Sequence, residues 1–363
     1  LNIAHNSPTL NITSTGGGNV IEDSDLQTDG LNANLMNLNI LGDAKLYIGE
    51  SLFNTFAEDT LATIDASANT ASVDLNMTGF LNELMFIGTA GGNDRLVAEN
   101  GSSNATVNAG NGNGEYRIST NGDVTITAGE GDNSIHGQSG GNGSAGNELE
   151  GTVTVTVGNG QNDITAISSD DFIIEAGHGN NVIDARSFSI NSDDITESDI
   201  GRITVGDGNN QIDFSGGAVT VTAGAGSNQI QGSASITTMV AGDGGNNIDV
   251  DGRSGSEPTE ATVTTGTGND TIEVAATTAT INSAGGNNTI TVENANSVTV
   301  TTTGGDDKLT ILGGNINFGS TGGSTGSELG GENGDEAVVV GIITNRDLRS
   351  RVLAKGLSLQ TPV

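Results

Sequence analysis

Residues 203–214 read ITVGDGNNQIDF, and near copies recur along the chain. VTVGNGQNDITA stands at 155–166, IEAGHGNNVIDA at 174–185, VTAGAGSNQIQG at 221–232, MVAGDGGNNIDV at 239–250 and TTGTGNDTIEV at 264–274. All fit h-G-x-G-x-[Asn/Asp]-x-[Ile/Leu], where h is usually apolar. The first glycine of the pattern falls at Gly206, Gly224 and Gly242, 18 residues apart, while Gly129 to Gly158 and Gly242 to Gly266 are separated by 29 and 24. The longer gaps hold polar inserts, SGGNGSAGNELEG (139–151), FSINSDDITESD (188–199) and RSGSEPTE (253–260). Such inserts loop out of a repeat without disturbing the layers that they interrupt.

One unit, TIEVAATTATINSAGGNN (271–288), shows what the repeat encodes. It reads as two short strands and two turns. Alternation with a period of two places Ile272, Val274 and Ile281 inward and Thr and charged residues outward. The glycines suit a corner too tight for a side chain. Coils of this kind pair their strands in parallel with the coils above and below. The expected fold is therefore all-β, a parallel β-solenoid with coils of about 18 residues.

Composition agrees with many thin layers rather than one thick core. Of 363 residues 57 are Gly, 33% are hydrophobic and only 3% aromatic, with no Trp. Val, Ile and Leu at regular positions separate the chain from a disordered one. The 45 acidic residues against 11 basic give a net charge of −34. That balance argues against nucleic acid or an anionic membrane as partner, because both require Lys and Arg. It suits a protein that meets divalent cations, and equally one that is kept soluble by charge. With no Cys, disulfides and thiolate metal sites are excluded. No apolar run is long enough to span a membrane as a helix.

Over residues 89–318 the repeat resembles the G-G-x-G-x-D-x-(apolar)-x nonapeptide of RTX proteins, best at Gly266-Thr267-Gly268-Asn269-Asp270-Thr271-Ile272. The resemblance implies a calcium-dependent parallel β-roll in a secreted protein. The phrases NILGDAKLYI (39–48) and TIDASANTASVDL (63–75) are similar to those of bacterial surface-layer and related secreted RTX-type proteins, which implies irregular solenoid coils over 1–88. In the family the motif's aspartate holds calcium between turns. Here that place is Asp in Asp94, Asp270 and Asp307, but Asn in Asn133, Asn162, Asn181, Asn210, Asn228, Asn246 and Asn288. Asn is the poorer calcium ligand, and stacked Asn side chains can instead hydrogen-bond to one another as a ladder. The expectation is an amide ladder at the Asn corners, with calcium at Asp94, Asp270 and Asp307, and with Asp132, Asp207, Asp243 and Asp306 as neighbouring oxygen donors.

The ends of the chain differ from the repeat. EDSDLQTDG (22–30) lacks the glycine offset of an EF-hand and reads as a solvated loop. Residues 319–336 read as a Gly/Ser linker. Residues 337–363 read as a strand and helix, in which GIITNRDL (341–348) resembles half of a CBS motif. In that family the positions matching Thr344 and Asp347 contact a nucleotide ribose. His5, His136 and His178 are scattered and read as surface residues.

No catalytic constellation stands out, so the expectation is a non-enzymatic extracellular protein at the surface of a bacterium. It would be a subunit of a surface layer, sheath or filament, or an adhesin spacer. The partners expected are further copies of itself, with a cell-surface glycan as a second candidate. Alternatives on the same architecture are an ice- or ligand-binding module, suggested by VTVTTT (298–303) and ATTAT (276–280), a phage fibre, or a polysaccharide-active β-helix enzyme.

Overall fold

A computed structural model describes residues 8–21, 35–49, 61–80, 82–140, 151–187, 199–252, 259–312, 315–321 and 325–330, the last two as backbone. Among these residues there are 28 strands and no helix, and the strands pair in parallel. The tail at 337–363 with Thr344 and Asp347, the stretch 22–30 and the centres of the three inserts lie outside the described residues. The chain clusters into two compact units, Leu1–Thr220 and Val221–Val363.

In the first unit each strand pairs with the strands two before and two after it, which is the connectivity of a two-faced coil. One face stacks Val124–Ala128, Val153–Val157, Phe172–Ala176 and Ile200–Val205. The other stacks Glu115–Thr120, Ser134–Gln138, Asp163–Ser168 and Val182–Ser187. The register holds across the inserts: Thr125 sits opposite Thr154, and Asp184 opposite Asp213. Slipping by one residue would turn every aliphatic side chain outward, so burial fixes the register. The same two-faced pairing begins at Thr9–Ser14 and Asn37–Gly42, which makes the expected N-terminal coils part of this pattern.

The second unit repeats the plan. Asn247–Gly252, Thr271–Ala275, Thr289–Glu293 and Asp307–Leu312 form one face, and Glu260–Thr265, Thr278–Ser283 and Ser297–Thr303 the other. The strand Gln229–Ala241 serves both, pairing with Asn247–Gly252 through its first half and with Glu260–Thr265 through its second. Two more strands, Asn315–Thr321 and Thr325–Gly330, continue the faces into the stretch that reads as a linker.

The interior is made of aliphatic columns. Ile126, Val155, Ile174 and Ile203 stack with no exposed surface in the first unit, and Ile248, Ile272, Ile290 and Leu309 stack at 2% exposure or less in the second. Ile272, Val274 and Ile281 point inward as the alternation requires. Burying each such side chain contributes roughly 1.5–3 kcal/mol, and parallel strands covered on their inner face are where β-branched residues pack best. The corners demand glycine. Gly268 has φ +148°, and a Cβ there would lie 2.1 Å from the Gly244 carbonyl oxygen of the coil before.

Candidate functional site

The G-x-G-x-[Asn/Asp] turn carries the repeat's polar residues, and stacking the coils arranges them in three columns. The innermost is the motif's last residue. Asn133, Asn162 and Asn181 in the first unit, and Asn228, Asn246 and Asn288 in the second, are at most 2% exposed. An alternating strand would not bury an amide in this way without partners, and each has them. Both the backbone N–H and Nδ2 of Asn162 donate to Asn181 Oδ1, at 3.4 and 2.9 Å. Asn181 does the same to Asn210 Oδ1, at 3.1 and 3.0 Å. Asn228 repeats it on Asn246 Oδ1, at 3.3 and 3.0 Å. Each Nδ2 also donates within its own turn, as Asn246 does to the Gly242 and Gly244 carbonyls at 3.0 and 3.1 Å. The expected ladder is present, and its bonds run in one direction, from each rung to the next rung along the chain.

The other two columns tie backbone to backbone. The residue before the rung accepts a main-chain N–H from the next coil: Asn113 Oδ1 from Asp132, Asp132 Oδ1 from Gln161, Asn287 Oδ1 from Asp306, at 3.0, 2.8 and 2.8 Å. Where its side chain has an acceptor, the residue between the glycines does likewise. Asn159 Oδ1 accepts from His178 N at 2.7 Å, His178 Nδ1 from Asp207 N at 2.9 Å, and Asp243 Oδ1 from Thr267 N at 2.7 Å. This explains why Asn, Glu, His and Asp interchange here: each offers an acceptor within reach. The bonds from Thr267 hold the exposed Asp243 carboxyl below its usual range, the backbone bond first and the hydroxyl second. His178 reads from sequence as a bare surface residue; its structural part is this acceptor.

The expected metal ligands divide by column. Asp132 and Asp306 lie in the middle column and Asp207 and Asp243 in the outer one, all exposed. Asp94, Asp270 and Asp307 are inner rungs, 1%, 1% and 4% exposed. Among the described residues no group of three or more His, Cys, Asp or Glu is arranged to hold a metal.

The three buried carboxylates have different surroundings. Asp94 is saturated with donors: Oδ1 accepts from Val73 N at 3.0 Å and the Thr89 hydroxyl at 2.9 Å, and Oδ2 from Thr89 N at 2.7 Å and the same hydroxyl at 3.0 Å. Burial still raises its pKa, with those bonds opposing the rise. Asp270 Oδ1 accepts from Asn246 N and Nδ2, both at 2.9 Å, but its buried Oδ2 has no protein partner. Asp307 Oδ1 accepts from Asn288 N and Nδ2 at 3.0 and 2.9 Å. Calcium fits these surroundings unequally. Both Asp94 oxygens are engaged by protein donors, whereas Asp270 keeps one oxygen that a cation would suit.

One rung is missing. Gly114 occupies the inner place between Asp94 and Asn133, and its N–H donates to Asn133 Oδ1 at 3.1 Å. A Cβ at Gly114 would lie 2.3 Å from the Tyr116 ring, which is 2% exposed and occupies that space. Burial first, then the Asp94 charge, raises the Tyr116 pKa. Sequence reading missed this substitution, although the Gly-Glu-Tyr after the motif marks it.

The outward faces also differ in charge. In the first unit Lys45, Asp74, Arg95 and Glu115 alternate in sign, with Arg95 3.1 Å from Asp74 and 3.2 Å from Glu115. In the second unit Asp249 stands directly opposite Glu273, with Asp251 and Glu293 nearby. Both Asp249 and Glu273 are raised above the usual carboxylate range, by desolvation first and by these neighbours second.

No protein-family model, curated protein or solved structure matches this chain.

Proposed function

We propose that this chain is a non-enzymatic extracellular structural protein, a self-associating subunit of a surface layer, sheath or filament, whose product is stiffness. The observation that carries the reading is the buried inner ladder. From Asn133 to Asn210 in the first unit and from Asn228 to Asp307 in the second, successive coils are tied at the corner as well as by the sheets, so a load along the stack there meets hydrogen bonds sheltered from water. Net bonds of this kind are worth about 1 kcal/mol each, and breaking one partner in a buried site costs about 1–3 kcal/mol. In this reading the amides, rather than calcium, carry the stiffness. The excess of acidic over basic residues suits an exposed lattice that has to stay soluble before it assembles.

Electron micrographs of the purified chain in calcium and in EGTA test the proposal. Filaments or lattices in both support it. Dispersed particles in both, at high protein concentration, overturn self-assembly, and assemblies confined to calcium move the stiffness from amide to metal.

A second reading has one observation behind it. Thr238, Thr262, Thr280 and Thr299 stand in direct register on one outward face of the second unit. Such a row supports a surface that binds ice or an ordered polyol. Thermal hysteresis at millimolar protein separates the two readings.

A further inference from the structure

The residue five places before each inner rung varies with the rung. It is Ala or Val before Asn133, Asn162, Asn181, Asn210, Asn228 and Asn246. It is Thr before every acidic rung: Thr89 before Asp94, Thr265 before Asp270 and Thr302 before Asp307. The one amide rung preceded by a hydroxyl is Asn288, which follows Ser283 and lies between the acidic rungs 270 and 307. All four hydroxyl residues are interior, Thr89 at 0%, Thr265 at 3%, Ser283 at 2% and Thr302 at 1% exposed.

The chemistry of the corner explains the match. An Asn rung points Nδ2 at glycine carbonyls of its own turn, so it brings the donor itself and needs only an apolar residue behind it. An Asp rung has no hydrogen to give those carbonyls. Its second oxygen requires a donor from elsewhere, or it stands buried and unpaired at a cost. At Asp94 the donor is Thr89, whose N–H and hydroxyl both turn to the carboxylate. At Asp270 the second oxygen has no partner, while the Thr265 hydroxyl lies 3.0 Å from Ser283 Oγ. The Thr302 hydroxyl also has no partner.

We propose that Thr265 and Thr302 clamp Asp270 and Asp307 as Thr89 clamps Asp94, so that a hydroxyl five residues upstream, rather than a bound metal, admits a carboxylate to the buried ladder. A change of Thr265 rotamer exchanges Ser283 for Asp270 Oδ2 and resolves the orphaned oxygen. The inference is independent of the structural role proposed above, since it concerns which side chains the corner accepts whatever the protein assembles into.

A double-mutant cycle with EGTA present throughout tests it. Thr265→Val, Asp270→Asn and the pair together are compared by urea unfolding. Thr265→Val alone raises the unfolding constant about tenfold, and with Asp270→Asn also present less than about threefold. With Asn at 270 the Thr265 hydroxyl keeps only Ser283, so the smaller effect in that background measures that contact and the excess over it measures the clamp. Equal effects in the two backgrounds, or coupling that emerges only when calcium replaces EGTA, overturn the proposal. A constructive arm covers the case in which Thr265→Val fails to fold. Asn162→Asp, whose next rung is the neutral Asn181, weakens the fold alone, and adding Val157→Thr, five residues upstream, recovers most of the loss. No recovery counts against the clamp.

Discussion

Asp94 in the first unit and Asp270 in the second hold the same place in the repeat, each buried to 1% exposure. Around Asp94 every polar neighbour that bonds it is a donor, two backbone N–H groups and one hydroxyl. Around Asp270 the donors all converge on Oδ1, and Oδ2 faces none. Charge and burial are alike in the two sites; the supply of hydrogens is what differs. A rung's identity is thus set by how many donors the corner directs at it, and the preference for Asn follows from a corner that supplies two donors and two carbonyl acceptors.

The comparison breaks most completely at the backbone, where the two sites should behave alike. Gly92→Ala puts a Cβ 1.8 Å from the Ala71 carbonyl oxygen and Gly268→Ala puts one 2.1 Å from that of Gly244. Each should destabilise its unit on the order of 3 kcal/mol, read as a drop in urea midpoint, because overpacked backbone cannot yield as a flexible side chain does. A tolerant Gly92 would mean that the two turns are not the same corner.

At the rung itself the sites should diverge in size. Asp94→Asn sets an NH₂ against the Thr89 N–H and should cost about 2 kcal/mol. Asp270→Asn loses the Thr265 contact but gains a donor suited to the turn carbonyls, so it should cost less than about 1 kcal/mol in metal-free buffer. Parallel urea melts check both; an equal loss at the two sites would show that the turn carbonyls play no part in the preference for Asn.

The smallest effect concerns the outward faces and pH. Asp249 and Glu273 have folded pKa values raised above the unfolded ones, so the folded chain holds their protons more tightly. Their contribution to stability is present at low pH and is lost as pH rises from the unfolded carboxylate range through the raised folded values. Melting temperature should therefore climb modestly from pH 7 to about pH 5, and Asp249→Asn should flatten the slope. An unchanged slope with Asp249→Asn contradicts the assignment.

Much of this was legible in the residues. The alternation around Ile272, Val274 and Ile281 gives the coil, and the run of Asn at one motif position gives the ladder, because both depend on spacing within one repeat. What spacing could not supply was contact between repeats. Motif position sets Asp94, Asp270 and Asp307 apart from Asp132, Asp207, Asp243 and Asp306, but it does not show that the first three are buried rungs and the other four exposed, with Asp132 and Asp243 accepting backbone N–H groups of the next coil. One residue along the turn separates Asp132 and Asp306 from the rung, and three separate Asp207 and Asp243 from it. Thr89 likewise reads as one more strand residue until the coil folds it behind Asp94, and the Gly114 gap becomes intelligible only with the Tyr116 ring beside it. Strands at Thr325–Gly330 escaped notice because Gly and Ser dominate them, and register with Asp307–Leu312 rather than propensity holds them.

The central claim is that sheltered amides at the corner bind coil to coil without metal. Hydrogen exchange of the Asn162 and Asn181 backbone amides and Nδ2 groups, followed by NMR in EGTA, tests it most directly. The account predicts protection approaching that of the Ile164 and Ile183 amides within the strands. Exchange at the rate of an open turn, with the strands still protected, would contradict it.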